Sequence, residues 1–437
     1  MYAINYKTLI VQALGFEPTA DQQHAIDTFA EFLADRDDHV AMLLRGSAGT
    51  GKTTLSGAIV RTMLALKQRV VLLAPTGRAA KVFALNSGVQ ASTIHRRIYR
   101  QQSLGGSFSL APNMMTDTLF LVDESSMIAN EGLRESVFGT GCLLDDLVQF
   151  VYSGRNCRLV LIGDKAQLPP VGEEESPALS SAFISGYGLN VYESDLREVL
   201  RQSQQSGILY NATVIRQMIT HDEATQLPQI RFKAFADIQM VPGDELIEQL
   251  AGSYSEVGLD ETMVVTRSNK RANVYNNGIR GMVLGREDEL TPGDMLMIVR
   301  NNYFWVEQEE KKTHETAKSS EPAPTPPTAD MEKTPFSFIA NGDRAKVRRV
   351  RNIRELYGFR FADLALEFPD YDNYELQATV IIDSLQSESP SLTREQSEQL
   401  FNGVLADYAD LRLKSERMGH VRSDKYYNAL QVKFAYA

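Results

Sequence analysis

The sequence predicts an α/β protein: parallel sheets covered by helices, with a small β-rich insert late in the chain. Three observations carry the prediction. Residues 40–44 (VAMLL), 69–74 (RVVLLA), 119–122 (LFLV) and 158–162 (RLVLI) are short, branched apolar runs bounded by turn or charged residues, the pattern of strands buried on both faces. Between the first two lies TTLSGAIVRTMLALK, with apolar residues at 55, 58, 59, 63 and 66 on one face of a 3.6-residue period. The junction of that strand and helix is glycine-rich, GSAGTGKT at 46–53, as a tight strand-to-helix turn requires.

Taken in order, Thr19-Ala-Asp-Gln22 opens a helix whose apolar face is Ala25, Ile26, Phe29, Phe32 and Leu33. Strand, helix and strand then make a βαβ unit, and a first α/β domain is expected over residues 1–190. A later alternation, MVVT at 263–266 followed by NKRANVYNNGIRGMV, predicts a second α/β domain from 191, its first part reaching 295. Residues 296–427 read as an insert. LMIVRNNYFWV and FSFIANGDRAKVRRV are β-branched and aromatic, the latter with an Asn341-Gly342 turn. Between them, 307–335 is charged, Pro-rich and almost free of large apolar residues, which predicts a mobile loop. YELQATVIID is strand-like and REQSEQLFNGVLADYADLRLKSERM helical; residues 428–437 begin a strand, an incomplete return to the second domain.

The chain has 437 residues, 45 Lys+Arg against 56 Asp+Glu and a formal net charge of −11. That length buries sizeable cores and excludes a mini-protein, a collagen-like fibre and a wholly disordered chain. There is no uncharged apolar run of about 18 residues and no basic-then-apolar leader, so a soluble, cytoplasmic chain with no membrane partner is expected. Cys142 and Cys157 lack metal-ligand spacing and read as packing residues. An acidic balance ordinarily argues against nucleic acid, but GRAAK (77–81) and HRRIYR (95–100) are locally basic.

The strongest chemical signal is the GxxxxGK[ST] pattern: Gly46, Ser47, Ala48, Gly49, Thr50, Gly51, Lys52 and Thr53, followed by Thr54. Its glycines let backbone N–H groups curl around phosphate oxygens, Lys52 reaches the β/γ-phosphates and the Thr53 hydroxyl can ligate Mg²⁺. Asp123-Glu124 ends the LFLV strand, where Asp123 can hold the magnesium through water and Glu124 can polarise an attacking water. Beside a triphosphate loop, two carboxylates favour hydrolysis over mere binding. RLVLI ends in GDKAQLPPVG, whose glycine and tandem prolines stiffen a loop presenting Gln167 to the γ-phosphate or the attacking water. Gln22 has two readings, the Glu/Gln of a capping box with Thr19 or a reader of the adenine edge.

GSAGTGKTT, APTGRAAKV (74–82), ASTIHRRI (91–98), LFLVDESSM, IGDKAQLPPVG, LREVLRQ (196–202) and VVTRSNKRANVYN (264–276), in this order, resemble the superfamily 1B DNA helicases of the RecD-like and Dda-like branch, nearly throughout except the Pro-rich insert and about 350–425. The resemblance implies a P-loop NTPase of tandem RecA-like domains, the second with a small SH3-like insert. It implies ATP and Mg²⁺ as cofactors, a monomer, and single-stranded DNA and single-strand/duplex junctions as partners. By position it gives Pro75, Thr76, Arg78, Thr93 and His95 to a single-stranded DNA path, Asn269 to its continuation in the second domain, and Arg201 to the γ-phosphate as an arginine finger. Residues 97–115 match a pin hairpin that splits the duplex, with Gly105-Gly106 as its turn, although a plain surface hairpin reads identically. After a strand like QVKFAYA such helicases continue with a THKxQG-type motif and a second arginine finger. The sequence stops at Ala437, so a truncated second domain is expected, binding Mg-ATP while hydrolysing and unwinding poorly. The function implied is an ATP-driven 5′–3′ translocase and helicase; the alternative is an ATP-binding DNA clamp with little turnover. A small-molecule kinase needs neither GDKAQLPPVG nor LREVLRQ, and an RNA helicase of the other large superfamily would carry a Ser-Ala-Thr motif.

Overall fold

A computed structural model describes residues 5–101, 108–130, 139–170, 172–198, 206–220, 227–309, 311, 338–389 and 391–437. Two compact units divide the chain at Met240/Val241.

The first unit is built on a six-stranded, wholly parallel sheet in the order β3-β2-β6-β7-β1-β8. Its strands are β1 (Val40–Gly46), β2 (Arg69–Ala74), β3 (Ala91–Thr93), β6 (Thr118–Val122), β7 (Arg158–Gly163) and β8 (Asn190–Leu196), while β4 (Tyr99–Gln101) and β5 (Phe108–Leu110) form a separate antiparallel pair. The four expected strands are β1, β2, β6 and β7, and all five residues of β6 are buried, as a sheet covered on both faces demands. One face packs α1 (Tyr6–Leu14), α2 (Ala20–Ala34) and α3 (Lys52–Ala65) around Ile10, Phe29, Phe32, Met42, Leu55 and Ile59. The other packs α5 (Ile94–Ile98) and α6 (Leu143–Ser153) around Leu43, Phe120, Leu147 and Leu161. The helix α4 (Gly77–Ser87) adds Phe83 to the first face, and a short α7 (Ser181–Ser185) and α8 (Gly207–Thr220) complete this unit's named helices. Cys157 is buried in the second core.

Helix ends follow local chemistry. Thr19 accepts from the Gln22 N–H while Gln22 accepts from the Thr19 N–H, the capping box that starts α2. Gly15 closes α1 in the left-handed region at φ 82°, a conformation that costs most other residues about 1–2 kcal/mol.

The second unit carries α9 (Leu246–Glu256), α10 (Asn269–Gly278) and a closed five-stranded barrel, β10-β11-β12-β13-β9. Its strands are β9 (Met295–Ile298), β10 (Arg344–Leu356), β11 (Phe359–Phe368), β12 (Tyr374–Ile381) and β13 (Leu430–Phe434), filled by Leu296, Val347, Leu366, Phe368 and Val432. This is the expected β-rich insert, with Asn341-Gly342 as a turn leading into β10. Two helices, Arg394–Asp407 and Lys414–Arg422, pack Leu400, Val404 and Val421 near Phe359 and Phe361.

Two expectations differ from the structure. MVVT forms no strand: Val264 donates a single backbone hydrogen bond to the Tyr436 carbonyl (3.0 Å) and packs partly against the barrel core. The second unit therefore has no wholly parallel sheet among its described residues. The strand at ALQVKFAYA forms as β13, but it closes the barrel between β12, to which it runs parallel, and β9, to which it runs antiparallel. The Pro-rich stretch 307–335 lies almost entirely outside the described residues, as does the Gly105-Gly106 turn. Among the described residues no helix is long and apolar enough to cross a membrane.

Candidate functional site

Three neighbouring strands end together. In the order β6-β7-β1, the loops that leave Val122, Gly163 and Gly46 emerge at one edge of the sheet, the carboxyl edge where open α/β sheets hold their ligands.

The loop after β1 is shaped by two glycines in the left-handed region, Gly49 at φ 81° and Gly51 at φ 86°. Gly46 is required for space, since a Cβ there would lie 2.9 Å from Leu196 Cβ and 2.7 Å from Thr50 Oγ1. The carbonyls of Gly46, Ser47 and Thr50 each accept a side-chain hydrogen bond. Lys52 Nζ donates to the Gly46 carbonyl and to the Ser47 carbonyl (3.0 Å), Thr50 Oγ1 donates to the Ser47 carbonyl (2.8 Å), and Gln22 Nε2 donates to the Thr50 carbonyl (3.2 Å). The backbone N–H groups of Gly49, Gly51, Lys52 and Thr53 have no acceptor among the described residues. Occupied carbonyls, open amides and the N-terminus of α3 together make an anion cradle. Ser47 and Thr50 are buried; Ala48 and Thr54 are exposed.

Asp123 and Glu124 leave β6. Asp123 donates its N–H to the Leu73 carbonyl (3.0 Å), and its Oδ1 accepts from the Glu124 N–H (2.9 Å). Burial, reinforced by the Glu124 charge, pushes the Asp123 carboxyl up to about 6 against a hydrogen bond that favours its ionised form. Glu124 sits in the left-handed region at φ 52°, a conformation that costs a non-glycine residue some strain. Burial likewise pushes the Lys52 ammonium down, opposed by the charges of Asp164, Glu124 and Asp123. Gln167 lies on the loop after β7 and accepts from Ser126 Oγ (3.0 Å), which latches that loop to the one after β6.

A magnesium ion fits this edge by donor chemistry. The Thr53 hydroxyl at the start of α3 is a hard oxygen ligand, and Asp123 Oδ2 accepts no hydrogen bond among the described residues, leaving one carboxylate oxygen for the ion or its waters.

On the other side of β6, β2 pairs with β3, so Pro75-Thr76 and Thr93-His95 follow adjacent strand ends. Thr76 Oγ1 accepts from the Ala79 N–H and caps α4, with Arg78 exposed in its first turn. Thr93 is buried, and its hydroxyl caps α5 by accepting from the Arg96 N–H (3.3 Å). His95 lies 5.7 Å from the Tyr99 ring, and burial holds its imidazole below the usual histidine range, hence neutral at pH 7. Asn269 is exposed at the start of α10 in the second unit. Arg201 lies outside the described residues.

Two participants escaped the sequence reading. Asp164, nearly buried, begins the loop after β7, and Arg216 on α8 stands 3.9 Å from its carboxylate, close enough for its charge to act on Lys52. The Gln22 bond to Thr50 was missed too: the capping box was legible, but the same amide also braces the glycine-rich loop.

Residues 18–227 match an AAA domain family. The ATP-dependent DNA helicase dda of Enterobacteria phage T4 is 24% identical over 292 residues, 64% of this chain and 60% of that one. The ATP-dependent RecD2 DNA helicase of Deinococcus radiodurans is 27% identical over 274 residues, 61% of this chain and 34% of its own. The chain thus spans less than two thirds of the length of either relative. The crystal structure of the Pif1 helicase from Candida albicans is 15% identical, covering 83% of this chain and 78% of that one at a TM-score of 0.37, too loose a superposition to carry an inference.

Proposed function

We propose, for a chain of the superfamily 1 RecD/Dda type, that it binds Mg-ATP at the edge formed by β1, β6 and β7 and couples hydrolysis to 5′–3′ movement along single-stranded DNA, with duplex unwinding. The observation that carries the reading is the sharing of one sheet edge. The open amides of Gly49–Thr53, Asp123, Glu124 and Gln167 follow the β1, β6 and β7 ends, while Thr76, Arg78 and His95 follow the neighbouring β2 and β3 ends.

In this reading the loop amides and Lys52 hold the triphosphate, and exchanging the Gly46 and Ser47 carbonyls for phosphate oxygens frees Lys52 to follow developing charge. Thr53 and Asp123 hold the magnesium, which supplies charge neutralisation at the phosphates. Glu124 accepts a proton from the attacking water, and Gln167 orients that water from a loop already tied to Ser126. Arg78 and the loop N–H groups contact DNA phosphates without reading bases, and a neutral His95 beside Tyr99 offers a ring to the strand. Arg201 adds the arginine finger and Asn269 a DNA contact from the second unit. In this reading the antiparallel β4–β5 pair belongs to the pin.

DNA-stimulated ATP hydrolysis, measured beside Lys52→Ala and with 5′- and 3′-tailed duplexes, tests the proposal. Stimulated turnover lost in Lys52→Ala, with unwinding of the 5′-tailed substrate alone, is expected. Nucleotide and DNA binding without turnover would replace the motor with an ATP-binding DNA clamp.

A further inference from the structure

Val432 and Phe434 of β13 point into the barrel core, so by alternation Gln431 and Lys433 point away from it, yet each of these two is only 5% exposed. The segment 383–392 closes over them. Gln431 accepts from the Leu392 N–H (2.9 Å), and the Lys433 ammonium donates to the Ser387 carbonyl. The same segment is tied to α10: Asn273 donates to the Ser387 carbonyl (3.0 Å), Asn277 to the Gln386 side chain (3.2 Å), and Lys270 pairs with Glu388 (3.4 Å).

Lys433 is a buried charge that makes no ion pair among the described residues. The carboxylates of the covering segment are committed elsewhere, Asp383 to the Arg360 N–H (2.7 Å) and guanidinium (2.8 Å) and Glu388 to Lys270. Taking an ammonium out of water without an opposite charge is unfavourable, and burial alone holds Lys433 below the usual lysine range. The Ser387 carbonyl satisfies one of its three donors. Beside it lies a cavity of about 20 Å³ whose lining is rich in further donors: the hydroxyls of Ser389 and Ser391, which make no hydrogen bond among the described residues, and the Gln396 side-chain N–H groups, whose oxygen already accepts from the Thr393 N–H (2.9 Å). That volume suits one water-sized guest, which selects a monatomic ion over a phosphate or a carboxylate. We propose that this cavity is a chloride site: Lys433 supplies the charge, Ser389, Ser391 and Gln396 supply donors, and the bound halide braces the segment that holds α10. The site is independent of the nucleotide and DNA readings above.

The test follows the Lys433 side chain itself. In the full chain labelled with carbon-13 at lysine Cε, the Lys433 NMR signal is assigned by its loss in Lys433→Met, or in Lys433→Arg if the first does not fold. It is then titrated with pH in sodium chloride and in sodium gluconate at equal ionic strength. An anion beside the ammonium favours its charged form, so the Lys433 midpoint should rise with chloride, by up to about one pH unit for each tenfold increase above the dissociation constant, and bromide should act likewise. Replacing Ser389→Ala and Ser391→Ala together should weaken the chloride dependence by about tenfold. A midpoint equal in chloride and gluconate would overturn the proposal and leave the cavity to water. An undiminished chloride dependence in the double serine variant would also overturn it, since the ion would then lie outside the cavity.

Discussion

The Gln22 side-chain amide donates to the Thr50 carbonyl at 3.2 Å while its oxygen accepts from the Thr19 N–H at the same distance, so one buried side chain ties the start of α2 to the glycine-rich loop. Gln22→Ala removes both contacts and is expected to destabilise the first unit by about 1–2 kcal/mol, measured by urea unfolding. ATP and GTP should weaken together, by about fivefold, because a brace acts on the loop and not on the base. Loss of ATP affinity with GTP spared would assign Gln22 to the adenine edge.

Lys52→Ala strips the loop of its phosphate-following cation and should reduce hydrolysis by about 100-fold or more. Gly46→Ala reaches the same loop by another route. The added Cβ would press on Leu196 and Thr50, costing about 1–3 kcal/mol of stability and weakening nucleotide binding, with thermal unfolding and calorimetric titration as the checks.

Asp123 titrates at about 6 because it is buried beside Glu124. In the proposed reading its ionised form would hold magnesium, so hydrolysis at limiting magnesium should fall as pH drops through 6, with added magnesium shifting the acid limb downward. For folding the sign is opposite. A raised carboxyl contributes stability that is fully present below its unfolded value near 3.8 and is lost as pH rises through 6. Asp123→Asn should therefore abolish most of the activity while slightly raising stability at pH 8, and a less stable Asp123→Asn protein would refute the assignment of burial as the cause.

Arg78 is exposed in the first turn of α4 at the β2 end. Arg78→Ala should weaken single-stranded DNA uniformly across sequences and reduce the slope of log affinity against log salt by about one. An unchanged slope in a fluorescence-anisotropy titration would take Arg78 off the path.

In the second unit Asp294 is fully buried and accepts from Arg280 (3.0 and 2.9 Å), Arg286 (2.7 Å) and the Tyr436 hydroxyl (2.8 Å). Burial opposes its ionisation, yet these donors and the Thr291 N–H hold the carboxyl below the usual range. The stability this supplies is present above about 4 and is lost as pH falls through the depressed value. Asp294→Ala removes the carboxylate that pairs the buried Arg280 and the partly buried Arg286 and should cost about 3–5 kcal/mol. Proteolysis of the barrel segment at increasing urea would report it.

Where chemistry is written in contiguous residues, the sequence alone was enough. The branched runs of β1, β2, β6 and β7, the glycine offsets from Gly46 to Gly51, the Asp123-Glu124 strand end and the Thr19/Gln22 capping box each depend on neighbours a few residues away, so local pattern determines them. What depends on strand order was decided only in the folded chain. β3 (AST) and β8 (NVYESDL) carry no apolar run; they are strands because β2 and β1 offer open parallel edges to pair with. MVVT has the composition of a strand and is not one, since composition supplies no partner and a lone strand leaves its backbone unsatisfied. Asp164 meets Arg216, and Gln22 meets Thr50, through the placement of β7 between β6 and β1 and of α2 beside the loop. Such contacts join residues far apart in the chain, and no local periodicity records which distant side chain a strand end will face.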